Sequence, residues 1–241
     1  MPFPDRNSER MLAGRQAPWR ISARVAGSLA LVVAVAAAVL PVAAQQARPA
    51  DGPVMSKMDG METAIFAGGC FWCVEADFDK VPGVLSTVSG YIGGSNDNPT
   101  YKNHTSAGHR EAVEIVYDPA RVDYGTLLDV FWTTVDPTDA GGQFCDRGFS
   151  YTTAVYAVDE EQLDAAKASA EEHSALLSKP IVTEIVEAPT FWPAEDYHQD
   201  YYKKNPLRYK YYRGACGRNG TVEAVWGENA YDALNELKPK S

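Results

Sequence analysis

The chain has 241 residues, 45% hydrophobic and 22% charged, which is enough apolar mass for one well-buried globular domain with extensions. A formal net charge of −10 at pH 7 argues against a nucleic-acid-binding protein. Four cysteines in a chain of this size do not make a disulfide-dense scaffold, although two structural disulfides are one reading of them.

Arg10, Arg15, Arg20 and Arg24 precede an apolar run from Val25 to Leu40, followed by Pro41-Val42-Ala43-Ala44. That order predicts a secretory signal peptide over 1–44, cut after Ala44, and an exported, periplasmic protein. An N-terminal membrane anchor is the alternative, but the run is shorter than the ~20 residues a spanning helix needs. The leader takes five of 22 basic and two of 32 acidic residues, leaving 17 against 30 and a mature net charge of −13. Residues 45–60, with Pro49, Gly52 and Pro53, read as a flexible linker, and 61–241 as the folded domain.

Thr63 to Phe66 reads as a strand, Ala67-Gly68-Gly69 as a tight turn, and Phe71, Val74, Phe78 and Val81 recur at helical spacing. A second strand is expected over Val84 to Tyr91 and a third over Glu111 to Tyr117. Leu127, Leu128, Phe131, Trp132 and Val135 trace the next helix face, stopped at Asp136-Pro137. A strand near Thr152 to Val158 follows, then a helix opened by an Asp159/Gln162 capping box and running to about Leu177, then a strand over Ile181 to Glu187. The order β-α-β-β-α-β predicts a two-layer α+β sandwich with a ferredoxin-like (split βαβ) core. Tyr201 to Gly220 shows little periodicity and is expected as an extended coil wrapped over the sheet.

Cys70 falls at the mouth of the first helix, where unpaired N–H groups and the helix dipole favour a thiolate, so its pKa is expected to fall. Cys73, three residues on, is a second candidate redox cysteine. Period-two alternation puts Glu111 on the side of Val113, Ile115 and Tyr117, where desolvation would raise its pKa and suit a general acid. The same pattern also fits a carboxylate left in solvent beyond the sheet. Cys216, among Gly214, Gly217 and Gly220 and flanked by Arg213 and Arg218, reads as a mobile thiol able to pair with Cys70. A static disulfide to Cys145 or Cys73 is its alternative. Tyr91 and Tyr151, at strand ends near the cysteine turn, are either core tyrosines or donors to a bound oxygen. Asp146 reads as a turn residue on pattern alone. Cys70-x-x-Cys73 also has zinc-ligand spacing, with Cys145, Cys216, His104, His109 and His198 available to complete a site. Phe71-Trp72 between the cysteines fits a buried redox motif better, so no metal is expected and the three histidines are read as ordinary polar residues. A strand leading into Cys-x-x-Cys is also the thioredoxin-like signature, against which the strand order argues.

Gly69-Cys70-Phe71-Trp72 with Glu75, Gly90-Tyr91-x-Gly93-Gly94, Asn98-Pro99-Thr100-Tyr101, Gly108-His109-x-Glu111-Ala112-Val113 and Asp196-x-His198-Gln199-x-Tyr201 together resemble the peptide methionine sulfoxide reductase A family. The resemblance spans about Thr63 to Asn205 and makes 61–241 a catalytic domain whose tail, 206–241, carries a resolving cysteine. It implies reduction of the S epimer of methionine sulfoxide, free or in oxidised proteins, in repair of oxidative damage. Cys70 would be the nucleophile and pass through a sulfenic acid, and Glu111 would protonate the oxygen. Phe71 and Trp72 would hold the substrate methyl group; Tyr91, Asp146 and Tyr151 would bind the oxygen. Cys216 is the resolving thiol it points to. No bound cofactor is implied; an external thiol reductant, a thioredoxin-like protein or dithiothreitol, regenerates the enzyme. Nothing in the sequence suggests an obligate oligomer. Cys73 stands where many relatives have glycine, Arg110 where a small residue is usual, and Ser150 and Thr152 where glutamine and arginine are common.

Overall fold

The computed structural model of the chain describes residues 60–237. The expected leader, its cleavage after Ala44 and the linker through residue 59 lie outside the described residues. In order come β1 (Glu62–Gly68), α1 (Phe71–Phe78), β2 (Val84–Ile92), β3 (Arg110–Tyr117), α2 (Tyr124–Trp132), β4 (Gly142–Gln143), β5 (Asp146–Arg147), β6 (Thr153–Ala157), α3 (Glu160–Ser174), β7 (Glu184–Glu187) and β8 (Phe191–Pro193). Four tail helices follow: α4 (Tyr201–Lys204), α5 (Pro206–Ala215), α6 (Arg218–Trp226) and α7 (Asp232–Glu236). Among these described helices none is long and apolar enough to cross a membrane.

The architecture is α+β. Six strands form one sheet in the order β7-β6-β1-β3-β2-β8, antiparallel throughout except for the parallel β6–β7 pair. Period-two alternation divides β1 between two cores. Ala64 and Phe66 join Val113, Ile115, Tyr117 and Val155 beneath the helices, with Phe71, Val74 and Phe78 of α1 and Leu127, Leu128 and Phe131 of α2. Ile65 and Ala67 face the other way, with Ile92, Ala112, Ala154, Tyr156 and Phe191. The register Tyr91↔Glu111 sets those two side chains directly opposite on neighbouring strands.

The Asp159 carboxylate caps α3 by accepting from Gln162 N at 2.8 Å, while the Gln162 amide reaches Thr63 O at 2.7 Å and ties the helix to β1. α3 stops at Ser174 and β7 starts at Glu184, so both are shorter than their periodicity suggests. The tail is the larger difference. From Tyr201 onward it is helical, not coil: Pro206 starts α5 with a ring that fits the first helical position and costs no hydrogen bond. α5 has no fully buried residue, so it carries no aliphatic stripe to betray its period.

An ion cluster pins this tail to α1. Asp77, 1% exposed, lies 3.0 Å from Arg213 Nη1 and Lys80 Nζ and 4.0 Å from Arg218 Nε. Burial alone would raise its pKa, but Arg213, Lys80 and Arg218 together hold it below the usual carboxylate range. That stabilisation is present above about pH 4, the unfolded carboxylate value, and is lost as pH falls through the lower folded value. Asp77→Asn removes the carboxylate that faces buried Arg218 and half-buried Arg213 and is expected to cost about 3–5 kcal/mol in urea unfolding at pH 7. A change under about 1 kcal/mol would show that the cluster does not hold the tail.

Candidate active site

The site begins at the turn that joins β1 to α1. Gly69 adopts φ +84°, and a Cβ there would lie 2.6 Å from Gln143 Cβ, so the turn needs glycine on both counts. Gln143 is buried, accepting from Asp136 N at 2.9 Å and donating to Asp136 O at 2.7 Å, which fixes the β4–β5 hairpin under the turn. Cys70 is the N-cap of α1, with its carbonyl accepting from Cys73 N at 3.0 Å.

The next residue reaches Glu111: Phe71 N donates to Glu111 Oε2 at 3.0 Å. Glu111 is 2% exposed, and burial pushes its carboxyl up to about 8 although the Phe71 N–H opposes the rise. The Asp146 and Cys73 charges add to it, and the Tyr151 hydroxyl works against it. His104 Nε2 approaches Glu111 Oε1 at 3.7 Å, too far for a hydrogen bond. His104 Nδ1 lies 2.9 Å from the Tyr101 carbonyl, which can only accept, so the proton is assigned to Nδ1. Burial lowers the pKa of this imidazole, so it is neutral and supplies no cation to ionise Glu111. A protonated carboxyl at neutral pH follows.

The thiol is not the low-pKa cysteine that its helix-mouth position suggests. Cys70 is buried, and desolvation pushes it well above the usual thiol value, with Cys73 and Glu111 adding to the rise and Tyr212 opposing it. Cys73 is instead drawn down to about 7 by its hydrogen bond with Cys70, against its own burial, with Arg218 and Arg213 assisting. The two sulfurs therefore share one proton: the first leaves the pair near neutrality and the second is held. The charge rests first on Cys73, and passing the remaining proton from Cys70 to Cys73 makes Cys70 the thiolate.

Phe71 and Tyr91 pack at 5.8 Å between ring centroids, and Trp72 stacks on Tyr201 at 3.8 Å. Trp72 Nε1 donates to His198 Nδ1 at 3.1 Å. The Tyr91 hydroxyl, opposite Glu111 in register, donates to Glu195 Oε2 at 2.9 Å. Asp146 accepts from the Tyr212 hydroxyl, and Tyr212 also lies edge-on to Trp72 at 5.7 Å. Cys216, the C-cap of α5, is bonded to Cys145 across 71 residues, while Cys70 and Cys73 are free. Cys70, Cys73, Glu111, Phe71, Trp72, Tyr91, Asp146 and Tyr151 thus converge, with Cys216 joining through the hairpin that carries Asp146.

Sequence reasoning missed several members. Tyr212, Tyr201, Glu195, His104 and His198 all line the site, and the two histidines are buried, not ordinary loop residues. His109 is buried too, but against the Gly94 turn, accepting from Gly94 N at 3.1 Å. Tyr209, Tyr212 and Cys216 recur at helical spacing after Pro206, a signal that was present for α5. Cys145, Asp146 and Cys216 cluster closely enough for a metal, but two of the three sulfur and oxygen donors are spent in the disulfide.

A buried thiol pair at a helix mouth beside a carboxyl held neutral, on an α+β sheet, defines a thiol-based oxidoreductase. Residues 62–230 match the family model described as peptide methionine sulfoxide reductase. The chain is 60% identical over 172 residues to peptide methionine sulfoxide reductase MsrA 2 of Rhizobium meliloti, covering 71% of this chain and 87% of that protein. It is 52% identical over 168 residues to MsrA 2 of Caulobacter vibrioides, covering 69% and 86%. Among solved structures it is similar to methionine sulfoxide reductase A of Corynebacterium diphtheriae, at TM-score 0.60 and 34% identity over 63% of this chain and 78% of that one. The chain belongs to the peptide methionine sulfoxide reductase A family.

Proposed function

We propose that this protein reduces the S epimer of methionine sulfoxide, free or in oxidised proteins, to methionine. The observation that carries the reading is Glu111, buried and hydrogen-bonded to the residue next to Cys70, where burial pushes its carboxyl up to about 8. A sulfoxide oxygen leaves sulfur only once it is protonated, so the reaction needs a thiolate and a neutral acid side by side. The Cys70 thiolate attacks the sulfoxide sulfur while Glu111 gives its proton to the oxygen. The S–O bond to the substrate breaks, methionine leaves, and Cys70, oxidised by two electrons, carries the hydroxyl as a sulfenic acid. Phe71 and Trp72 offer the apolar wall for the methyl group, and Asp146 and Tyr151 the polar side for the oxygen; Tyr91 faces the same space from β2.

Recycling through a disulfide and a thioredoxin-like dithiol belongs to the same proposal. Cys216 is the tail thiol that the resemblance points to, and its bond is to Cys145, which is exposed and open to an outside reductant. Export to the periplasm, read from the basic and apolar order of 1–44, places the repair outside the cytoplasm. An assay with the separate S- and R-sulfoxides of methionine and dithiothreitol tests the reading. Methionine is expected from the S epimer at least about a hundredfold faster, a gap of roughly 2.7 kcal/mol in transition-state energy; equal rates, or preference for R, would overturn it.

A further inference from the structure

Cys70 and Cys73 are the free thiols among the described residues, and both are buried. The Cys73 N–H closes on the Cys70 carbonyl, so the two residues span the first turn of α1. Cα atoms three residues apart on a helix stand about 5 Å from each other, inside the range of about 4.4–6.8 Å that a disulfide spans. Cys216, by contrast, is engaged with Cys145 at the end of α5. One turn beyond Cys73 on the same helix sits Asp77, where Arg213 and Arg218 converge. These two cations also favour a negative sulfur on Cys73.

We propose that Cys73 is the thiol that condenses with oxidised Cys70, forming a Cys70–Cys73 disulfide within the first turn of α1 without a contribution from the Cys145–Cys216 pair. This rests on the reading of Cys70 given above and names the partner in its next step. The Cys73 sulfur attacks the sulfur of the Cys70 sulfenic acid, the S–O bond breaks and the S–S bond forms. The departing hydroxide takes the proton that the Cys73 thiol releases, so one water leaves and no outside electrons enter. The two electrons that later cleave the bond come from an external dithiol, which becomes a disulfide.

The test is one turnover of fully reduced protein with methionine S-sulfoxide and no reductant, read by methionine yield, dimedone labelling and mass mapping. The Cys145→Ser/Cys216→Ser protein is expected to form the Cys70–Cys73 disulfide and take no label. Cys73→Ser is expected to yield one methionine per chain, more slowly at pH 7 because the proton partner of Cys70 is gone, which also shows that it is folded, and to carry at least tenfold more dimedone on Cys70 than wild type. A Cys70–Cys216 disulfide forming in Cys73→Ser at the wild-type rate would overturn the proposal. So would loss of methionine formation in both Cys73→Ser and Cys73→Ala, which would make Cys73 the sulfur that attacks the sulfoxide. If wild type itself makes no methionine and labels nowhere, it is the reading of Cys70 that fails.

Discussion

Cys70→Ser is expected to abolish methionine formation, by at least about 10⁴-fold, in line with the removal of a nucleophile that acts together with an acid. A serine hydroxyl does not ionise near neutral pH, and it cannot take up the sulfoxide oxygen as sulfur does. The change should leave the fold intact. Cys70 is the N-cap of α1 and makes no side-chain capping bond, whereas serine is a preferred cap. A thermal melt equal to or slightly above wild type, together with no methionine after one-turnover incubation, separates lost chemistry from lost structure. Residual turnover within tenfold of wild type would assign the nucleophile elsewhere, with Cys73 the adjacent sulfur.

Glu111→Gln is expected to slow the chemical step by about 10²–10⁴-fold at pH 7, the range associated with one general acid. Glutamine keeps the shape and can still accept from Phe71 N, but it has no proton to give. The same substitution makes a second, opposite prediction for stability. Glu111 carries a raised folded value of about 8 against an unfolded value near 4.5. Between those two limits the folded state binds the extra proton, so wild-type stability falls as pH rises. Glu111→Gln removes that penalty and should be more stable than wild type by about 2–4 kcal/mol at pH 9, with little difference at pH 4. Chemical denaturation at the two pH values measures it. A variant both slower and less stable at pH 9 would mean that Glu111 is ionised in its pocket.

The sheet was legible because its strands alternate. Val113, Ile115 and Tyr117 enter the core on the side that also carries Glu111, and Asp159 with Gln162 marked the start of α3. The cysteine turn was legible from Gly68-Gly69 and the helical spacing that follows. The tail was not, since α5 packs with Tyr209, Tyr212 and Arg213, whose polar ends hide the apolar stripe that a periodicity reading seeks. The charge state of Cys70 was misjudged for a related reason: the helix mouth is local and visible in sequence, whereas the desolvation that outweighs it comes from residues far along the chain. The pairing of Cys145 with Cys216 likewise depends on tertiary approach, which four cysteines alone do not specify. His198 and His104 looked like loop residues because only the folded aromatic box around Trp72, Tyr91 and Tyr101 buries them.

The first turnover requires one proton gone from the Cys70–Cys73 pair, which happens near pH 7, and one proton kept on Glu111, which is lost near pH 8. The most direct measurement is therefore the rate of single-turnover methionine formation from pH 5 to 10, in wild type and Glu111→Gln. Wild type should rise toward pH 7 and fall above about 8, and the variant should keep the rise at much lower rates but lose the fall. A wild-type rate that stays level to pH 10, or a fall that survives in the variant, would contradict a neutral Glu111 delivering the proton.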